Sequence, residues 1–298
     1  MRIFQNLSKA AGLLLLMALL SDNQVQAQII VSDEFSYTAS TNLSGQNGGA
    51  PLGNPGWTGT WTKTNNAAEV TMTVTSSGLN YTDGLGNVLT VAGNAVADTS
   101  NAAKMADYRA FTPPVGTFNN GNSVWLSALV NATSYGNSNI QVFMTQSQDP
   151  GNGGGYGFSI SSAGVFVQSG VTTSQVGAAT GSTGSTFLIV AKLTFNSNPA
   201  LDTVTGWLNP NLDTTPTSGG TTITGAINTS TTYLAVRGGT QMVGTVDELR
   251  LGNTFADVVP FTGAAVPEPS TYAMISLGLF GLVLLQRRRK ETESHRLD

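Results

Sequence analysis

The sequence predicts an all-β domain made of two stacked antiparallel sheets or of a barrel. Apolar and polar residues alternate along many short runs, and no segment has a long apolar stripe with the helical period of about 3.6 residues. Clusters of Gly, Asn, Ser, Thr and Pro separate the runs, as expected for turns between strands. The region 28–266 contains about 239 residues, which is enough for one domain with a substantial core.

Three runs predict a strand together with the direction of its side chains. The run SVWLSALVN at 123–131 directs four apolar residues to one face: Val124, Leu126, Ala128 and Val130. The run TFLIVAKLTFN at 186–196 places Phe187, Ile189, Ala191, Leu193 and Phe195 together, and its other face also carries Leu188 and Val190. This strand is therefore expected to be central and covered on both sides. The run DTVTGWLNP at 202–210 places Val204 and Leu208 opposite Thr203, Thr205 and Trp207.

Further strands are predicted at 70–75, 88–92, 108–111, 140–145, 157–160, 165–168, 233–237 and 244–251. Long Gly-rich stretches at 148–157 and 177–186 are expected to be surface connections. The sequence has no internal repeat and no charged or Pro-rich linker, so these strands are expected to form one domain.

The N-terminus has the three parts of a secretory signal peptide. Arg2 and Lys9 supply positive charge, residues 10–20 form an apolar run of 11 residues, and Val25-Gln26-Ala27 resembles a signal peptidase site. We expect cleavage by signal peptidase after Ala27. The alternative, an N-terminal membrane anchor, needs about 20 apolar residues, which is more than the 11 of this run.

The C-terminus ends in an apolar segment followed by cations. Residues 272–285 form a run of 14 residues without charge, and Arg287, Arg288, Arg289 and Lys290 follow it. The segment at about 270–286 is just long enough for a single transmembrane helix. The hydrated cations are expected to stay on the cytoplasmic side, which leaves the β domain outside. The alternative is a helix buried in the core, and the block of cations directly after the segment argues against such burial.

The order Pro-Glu-Pro, apolar helix and basic block resembles the PEP-CTERM sorting signal of bacterial exported proteins. The elements that carry the resemblance are Pro267, Glu268 and Pro269, the helix, and Arg287 to Arg289. The resemblance implies processing by an exosortase and a location at the cell surface or in the extracellular matrix after a stage in the inner membrane. It divides the chain into a signal peptide at 1–27, a domain at 28–262 and a sorting signal at 263–298.

A second, looser resemblance concerns the domain. The opening SDEFSYTASTNLSGQNGG, the GWTGTW that follows it, and the closing VDELRLGNTFADVVP are similar to the concanavalin A-like (laminin G-like) jelly roll. The resemblance implies a two-sheet antiparallel jelly-roll sandwich over about 29–262. In that fold the first and last strands pair, which would bring Asp33 and Glu34 close to Asp247 and Glu248.

Composition excludes several kinds of chemistry. The sequence has no Cys, and its single histidine is His295 in the tail. The exported region therefore cannot supply a Ser-His-Asp or Cys-His catalytic pair, nor the usual zinc, copper or iron ligands. No phosphate-binding loop is present. Residues 28–266 contain 6 Lys and Arg against 12 Asp and Glu, so nucleic acid is not an expected partner.

The remaining candidates are few, and no cofactor is expected apart from a structural calcium ion. The carboxylates of Asp33, Glu34, Asp247 and Glu248 could hold this ion, or they could be solvated or paired with Arg250 and with Lys residues. Trp207 is the best candidate for a ring that stacks on a sugar, although large aromatic residues more often pack in a core. The spaced acidic triplet of family 16 glycoside hydrolases is absent.

We therefore expect a non-enzymatic exported protein that binds glycan or has a structural role in exopolysaccharide. The alternatives are a secreted carbohydrate-active enzyme and an adhesion module with a protein partner.

Overall fold

The computed structural model describes residues 28–99, 103–134, 138–148, 155–177 and 184–262. Within these ranges the chain is a two-sheet antiparallel β-sandwich, which confirms the all-β prediction. The predicted signal peptide and the predicted sorting signal with its transmembrane helix lie outside the described residues. In the part of the chain that is described, no helix has the length and apolar character needed to cross a membrane.

The strands are numbered along the chain. The first sheet contains β1 (Ile29–Asp33), β4 (Thr73–Val74), β6 (Val96–Asp98), β8 (Ser123–Ser134), β13 (Thr186–Thr194), β14 (Thr203–Leu208), β15 (Thr221–Thr224) and β17 (Val243–Gly252). Its order is β15-β14-β13-β8-β17-β6-β4, and β1 also pairs with β17. The pairing of β1 with β17 confirms the expectation that the first and last long strands are neighbours.

The second sheet lies against the first. It contains β2 (Gly56–Trp57), β3 (Thr62–Lys63), β7 (Met105–Thr112), β9 (Asn139–Thr145), β10 (Gly155–Ser161), β11 (Gly164–Gly170), β12 (Thr172–Gly177) and β16 (Tyr233–Gly238). Its order is β12-β11-β10-β9-β16-β7-β2, and β3 pairs with β7. A small third sheet joins β5 (Val88–Leu89) to β18 (Phe261–Thr262), and one short helix, α1 (Phe255–Val258), follows β17.

The main core lies between the two large sheets. The first sheet contributes the predicted faces of β8 and β13, including Leu126 and Ile189, and the second contributes residues such as Val142, Phe158 and Val236. Alternation along these strands therefore predicts the inward face correctly, because each strand turns every second side chain toward the partner sheet.

A second apolar cluster covers the outer face of the first sheet. Leu188 and Val190 of β13 pack there with Trp125, Trp207 and residues of α1. This confirms that β13 is central, between β8 and β14, and is covered on both sides. The outer face of the second sheet carries only a small cluster formed by Tyr108, Phe143 and Ala235 with Tyr233 beside them. Much of that face is therefore open for polar side chains.

Some strand boundaries differ from the predictions. The predicted strands at 70–75 and 88–92 are reduced to the pairs Thr73–Val74 and Val88–Leu89. Besides β1, which the resemblance predicts, six strands lie outside the predicted runs: β2, β3, β6, β12, β15 and β18. The two longest of them are β12, with the sequence TTSQVG, and β15, with the sequence TTIT. Both lie at the edges of the sheets, where side chains face water and the apolar alternation that marks a strand is weak.

Candidate functional site

A polar cleft of about 260 Å³ opens on the outer face of the second sheet. Polar side chains from five parts of the sheet form its walls: Lys104, Asn139, Gln141, Gln168, Thr173 and Arg237. Ser138 and Gly239 close one end, and Val171 lies at the rim. We call this set of residues the polar cleft.

Strand register brings these side chains together. Arg237 of β16 is directly opposite Gln141 of β9, and Gln168 of β11 is opposite Thr173 of β12. Lys104 immediately precedes Met105, which pairs with Gly238 of β16. Residues that are far apart in sequence therefore become neighbours because their strands are adjacent in the sheet.

Small residues occupy the outer face of the strand between two walls of the cleft. The strand β10 lies between β9 and β11, and on the outer face it carries Gly157 and Ser159, while Phe158 and Ile160 point into the core. With so little side-chain volume on β10, Gln141 reaches across the strand, and its Nε2 donates a hydrogen bond of 3.1 Å to Oε1 of Gln168. The Gly and Ser positions of this strand thus let the side chains of its two neighbours meet.

Hydrogen bonds hold the walls in place. Gln168 is only 2% exposed, and its Nε2 donates to the carbonyl oxygen of Gly170 at 3.1 Å. The guanidinium of Arg237 donates through NH2 to Oε1 of Glu69 at 3.2 Å. Glu69 is buried, and its second oxygen accepts a hydrogen bond from the Thr64 hydroxyl. A site fixed in this way loses little conformational entropy when a ligand binds.

The chemistry of the cleft suits a small polyhydroxylated ligand. Amide groups donate and accept hydrogen bonds, the Thr173 hydroxyl does the same, and the two cations only donate. Val171 is 84% exposed at the rim and offers an apolar contact next to these polar groups. The volume of the cleft lies below the range of about 300–1,000 Å³ that is common for drug-sized ligands. The cleft therefore fits one sugar unit of a polysaccharide better than an extended segment.

Trp207, predicted as a glycan-binding aromatic residue, lies elsewhere. Its ring belongs to the cluster on the outer face of the first sheet, on the opposite side of the sandwich from the polar cleft. It is 8% exposed and stacks on Trp125, with ring centroids 5.5 Å apart and an interplanar angle of 22°. Its Nε1 donates to the carbonyl oxygen of Ser218 at 3.1 Å. Because the ring is covered, its location indicates that Trp207 packs against its neighbours. Glycan binding by Trp207 stays a prediction, and the structure offers no free ring face for it.

The four carboxylates predicted for calcium lie on paired strands but bind different partners. Asp33 is opposite Leu249 in the β1–β17 pair. Its Oδ2 accepts hydrogen bonds from Trp61 at 2.7 Å and from Arg109 at 3.1 Å. Asp247 instead accepts from the backbone amides of Leu79 and Glu248, at 2.7 Å and 2.8 Å.

Glu248 and Glu34 both face Arg250, as the alternative to calcium expected. Glu248 forms a close ion pair with Arg250, and Oε1 of Glu34 lies 3.8 Å from NH2 of Arg250. Across the described ranges, no three side chains of the types His, Cys, Asp or Glu are grouped so that they could hold a metal ion. Calcium binding stays a prediction that this arrangement does not favour.

The protonation of Asp247 also bears on calcium. Burial raises the pKa of Asp247 to about 8, because the charged carboxylate is removed from water, and the nearby Glu248 carboxylate adds to the shift. Burial likewise raises the pKa of Glu248. Calcium prefers ionised carboxylates, so Asp247, whose raised pKa favours the protonated form near neutral pH, is a weak ligand.

Sequence reasoning did not find the polar cleft, although one local signal was present. The sequence GYGFSIS at 155–161 alternates Gly and Ser with apolar residues, so one face of the strand has almost no side-chain volume. Such a strand in the middle of a sheet leaves a depression wherever its neighbours carry long side chains. Which side chains border the depression depends on register, and the sequence does not give that.

Comparison with known proteins identifies the C-terminal segment. Residues 265–290 match the PEP-CTERM protein-sorting motif. This confirms the prediction made from Pro267, Glu268 and Pro269 and from the arginines at 287–289. The motif implies an exported protein that is processed at the membrane, with an exosortase as its processing partner. No curated protein has a matching sequence.

Several solved structures are similar to the sandwich at low identity. The globular domain of T. cruzi calreticulin is 12% identical, with a TM-score of 0.39 over 65% of this chain and 84% of that chain. A protein of unknown function from Shewanella oneidensis MR-1 is 11% identical, with a TM-score of 0.38 over 85% and 95%. Peanut lectin is 12% identical, with a TM-score of 0.32 over 60% and 91%.

Proposed function

We propose that this chain is an exported, non-enzymatic protein that an exosortase sorts through the C-terminal motif, and that its β-sandwich binds glycan at the cell surface or in the extracellular matrix. The observation that carries the binding half of the proposal is the polar cleft. There, side chains from β9, β11, β12 and β16 present hydrogen-bonding groups around one depression.

The non-enzymatic half of the proposal is supported by what borders the cleft. Glycosidases place two carboxyl groups about 5–10 Å apart on either side of the scissile bond. Among the described residues that line the cleft, none is Asp or Glu. Glu69 lies behind the wall, where Arg237 and Thr64 bind its carboxylate.

Binding is tested with the double variant Gln141→Ala/Thr173→Ala. If the cleft binds glycan, this variant is expected to lose about tenfold in affinity for a polysaccharide that the wild type retains, since two hydrogen bonds are removed. The measurement is retention on immobilised polysaccharides, followed by titration calorimetry with oligosaccharides from those that bind.

The matched control is Thr205→Ala/Thr222→Ala. These two hydroxyls lie on β14 and β15 of the other sheet and are 2.8 Å apart, outside the cleft. The control is expected to bind as the wild type does. Equal retention by the cleft variant and the wild type would show that the cleft is not the glycan site, and retention of a surface protein alone would favour the adhesion alternative.

Sorting is tested by changing Pro267 and Pro269 to alanine. Proline keeps the backbone extended, which suits the cleft of a processing enzyme. The wild type is expected to lose its C-terminal segment near residues 267–269 only when the exosortase is present, and the variant is expected to keep it and to stay in the membrane fraction. Mass spectrometry of the mature C-terminus after fractionation measures this. A wild-type chain with an intact C-terminus in exosortase-positive cells would contradict the proposal.

A further inference from the structure

We propose that the polar cleft recognises an anionic sugar residue that carries a single negative charge, either the carboxylate of a uronic acid or a sulfate ester. This inference rests on the proposed glycan binding and names the chemical class of the ligand. It comes from the placement of the cations in a domain that is otherwise acidic.

The cleft contains two of the few cations in the domain. Residues 28–266 contain six Lys and Arg, and Lys104 and Arg237 both line the cleft. Two others, Arg109 and Arg250, are buried in ion pairs with Asp33 and Glu248. Lys192 lies on the other sheet, with Nζ 5.4 Å from the centroid of the Trp125 ring.

The sixth cation supports the cleft from behind. The Nζ of Lys63 donates hydrogen bonds to three backbone carbonyl oxygens in the segment 64–69, at 3.2, 3.0 and 3.0 Å. Glu69, at the end of this segment, pairs with Arg237. Lys63 therefore holds the segment that carries Glu69, and it does not line the cleft itself.

Two carboxylates also lie behind the wall. Glu69 is 4% exposed, and Asp98 is buried beneath Gly238, where a Cβ on that glycine would lie 1.7 Å from Oδ2 of Asp98. A third carboxylate, Asp107, is paired in register with Lys63 and interacts with it electrostatically, and Arg237 is paired with Glu69. Among the described residues Lys104 forms no ion pair, so its ammonium charge is the one available to a ligand.

This distribution predicts the kind of anion. The single ammonium charge of Lys104 suits a singly charged group, while the amides of Asn139, Gln141 and Gln168 are neutral and suit the hydroxyls of the same sugar. Lys104 provides a compact ammonium group that can approach the anion, and Glu69 keeps the planar guanidinium of Arg237 in position.

The inference is tested with paired polysaccharides that differ only in charge. The probes are polygalacturonate with its carboxyl-reduced form, and a sulfated galactan with its desulfated form, together with a panel of neutral polysaccharides. The variant is Lys104→Gln, and the matched control is Lys192→Gln, which removes the same charge from the opposite side of the sandwich.

The wild type is expected to retain a charged form at least about tenfold better than its neutralised form, because charge-assisted hydrogen bonds are stronger than neutral ones. Lys104→Gln is expected to lose this preference and Lys192→Gln to keep it. The pair that shows the preference identifies the anion as carboxylate or sulfate.

Other outcomes separate this inference from the proposed function. Equal retention of charged and neutral forms, or retention of neutral polysaccharides alone, would overturn the anionic class and leave glycan binding intact. If Lys104→Gln and Lys192→Gln lose the preference for the charged form equally, the effect comes from net charge. This result would also overturn the anionic class of the ligand. Failure of the wild type to retain any polysaccharide in the panel would overturn both proposals.

Discussion

Replacement of Arg109 by leucine is expected to lower the free energy of unfolding by about 3–5 kcal/mol, because it leaves a buried carboxylate without its partner. Arg109 lies on β7 and points into the sandwich, where its side chain is fully buried. Its NH1 is 3.1 Å from Oδ2 of Asp33, which is also fully buried. An ion that has lost its counter-ion in such surroundings cannot recover its hydration.

The guanidinium also fixes a long surface segment to the sheet. Its Nε donates to the carbonyl oxygen of Gly59 at 2.7 Å, and NH1 donates to that of Gly48 at 2.6 Å. NH2 donates to Oδ1 of Asn47 at 2.9 Å, and the guanidinium carbon lies 4.6 Å from the centroid of the Trp57 ring. Leucine replaces none of these contacts, so the segment 47–61 is expected to loosen as the stability falls.

Urea denaturation followed by circular dichroism measures the change. Arg109→Lys keeps the charge but loses the planar fork, and an intermediate loss is expected. The matched control is Lys192→Leu, which removes a partly exposed cation and is expected to change the free energy of unfolding by less than about 1 kcal/mol. A loss of under about 1 kcal/mol for Arg109→Leu would contradict the structural role assigned to this cluster.

The sequence predicts the central strands well, because burial on one or both sides leaves a clear pattern. In β8 the alternating apolar residues face the core, and in β13 the residues between them, Leu188 and Val190, form the second cluster. The pairing of β1 with β17 was expected only from a resemblance to a known fold, and the structure confirms it. The C-terminal motif could be predicted because its elements are consecutive in the sequence.

The sites depend on contacts between distant residues and could not be predicted in the same way. The Gln141–Gln168 hydrogen bond crosses β10, and the Arg237–Glu69 ion pair joins residues separated by 168 positions. A one-residue slip in register would turn these side chains to the opposite face. The sequence also shows that Asp33 and Arg109 are charged, but not that they meet in the core.

The replacement of Trp207 by alanine is expected to lower the free energy of unfolding by about 3–5 kcal/mol and to leave glycan retention unchanged. The ring stacks on Trp125, which in turn contacts Phe255 of α1 edge-on, with centroids 5.5 Å apart. The loop at 218–220 covers Trp207 so closely that a Cβ on Gly220 would lie 2.6 Å from the indole. Truncation therefore opens a cavity between the first sheet and this loop, and the wall of the cavity loses its packing contacts.

The matched control is Phe261→Ala, since Phe261 lies on β18 and is 38% exposed. This control is expected to lower the free energy of unfolding by about 1 kcal/mol, because Phe261 buries less apolar surface than Trp207 does. Glycan retention is measured at a temperature at which each variant is folded, so that stability and binding are separated. If Trp207→Ala keeps its stability but loses retention, the indole contacts the ligand and the binding site must be assigned to the first sheet. If stability falls and retention persists, Trp207 packs the fold and the polar cleft on the opposite face remains the site.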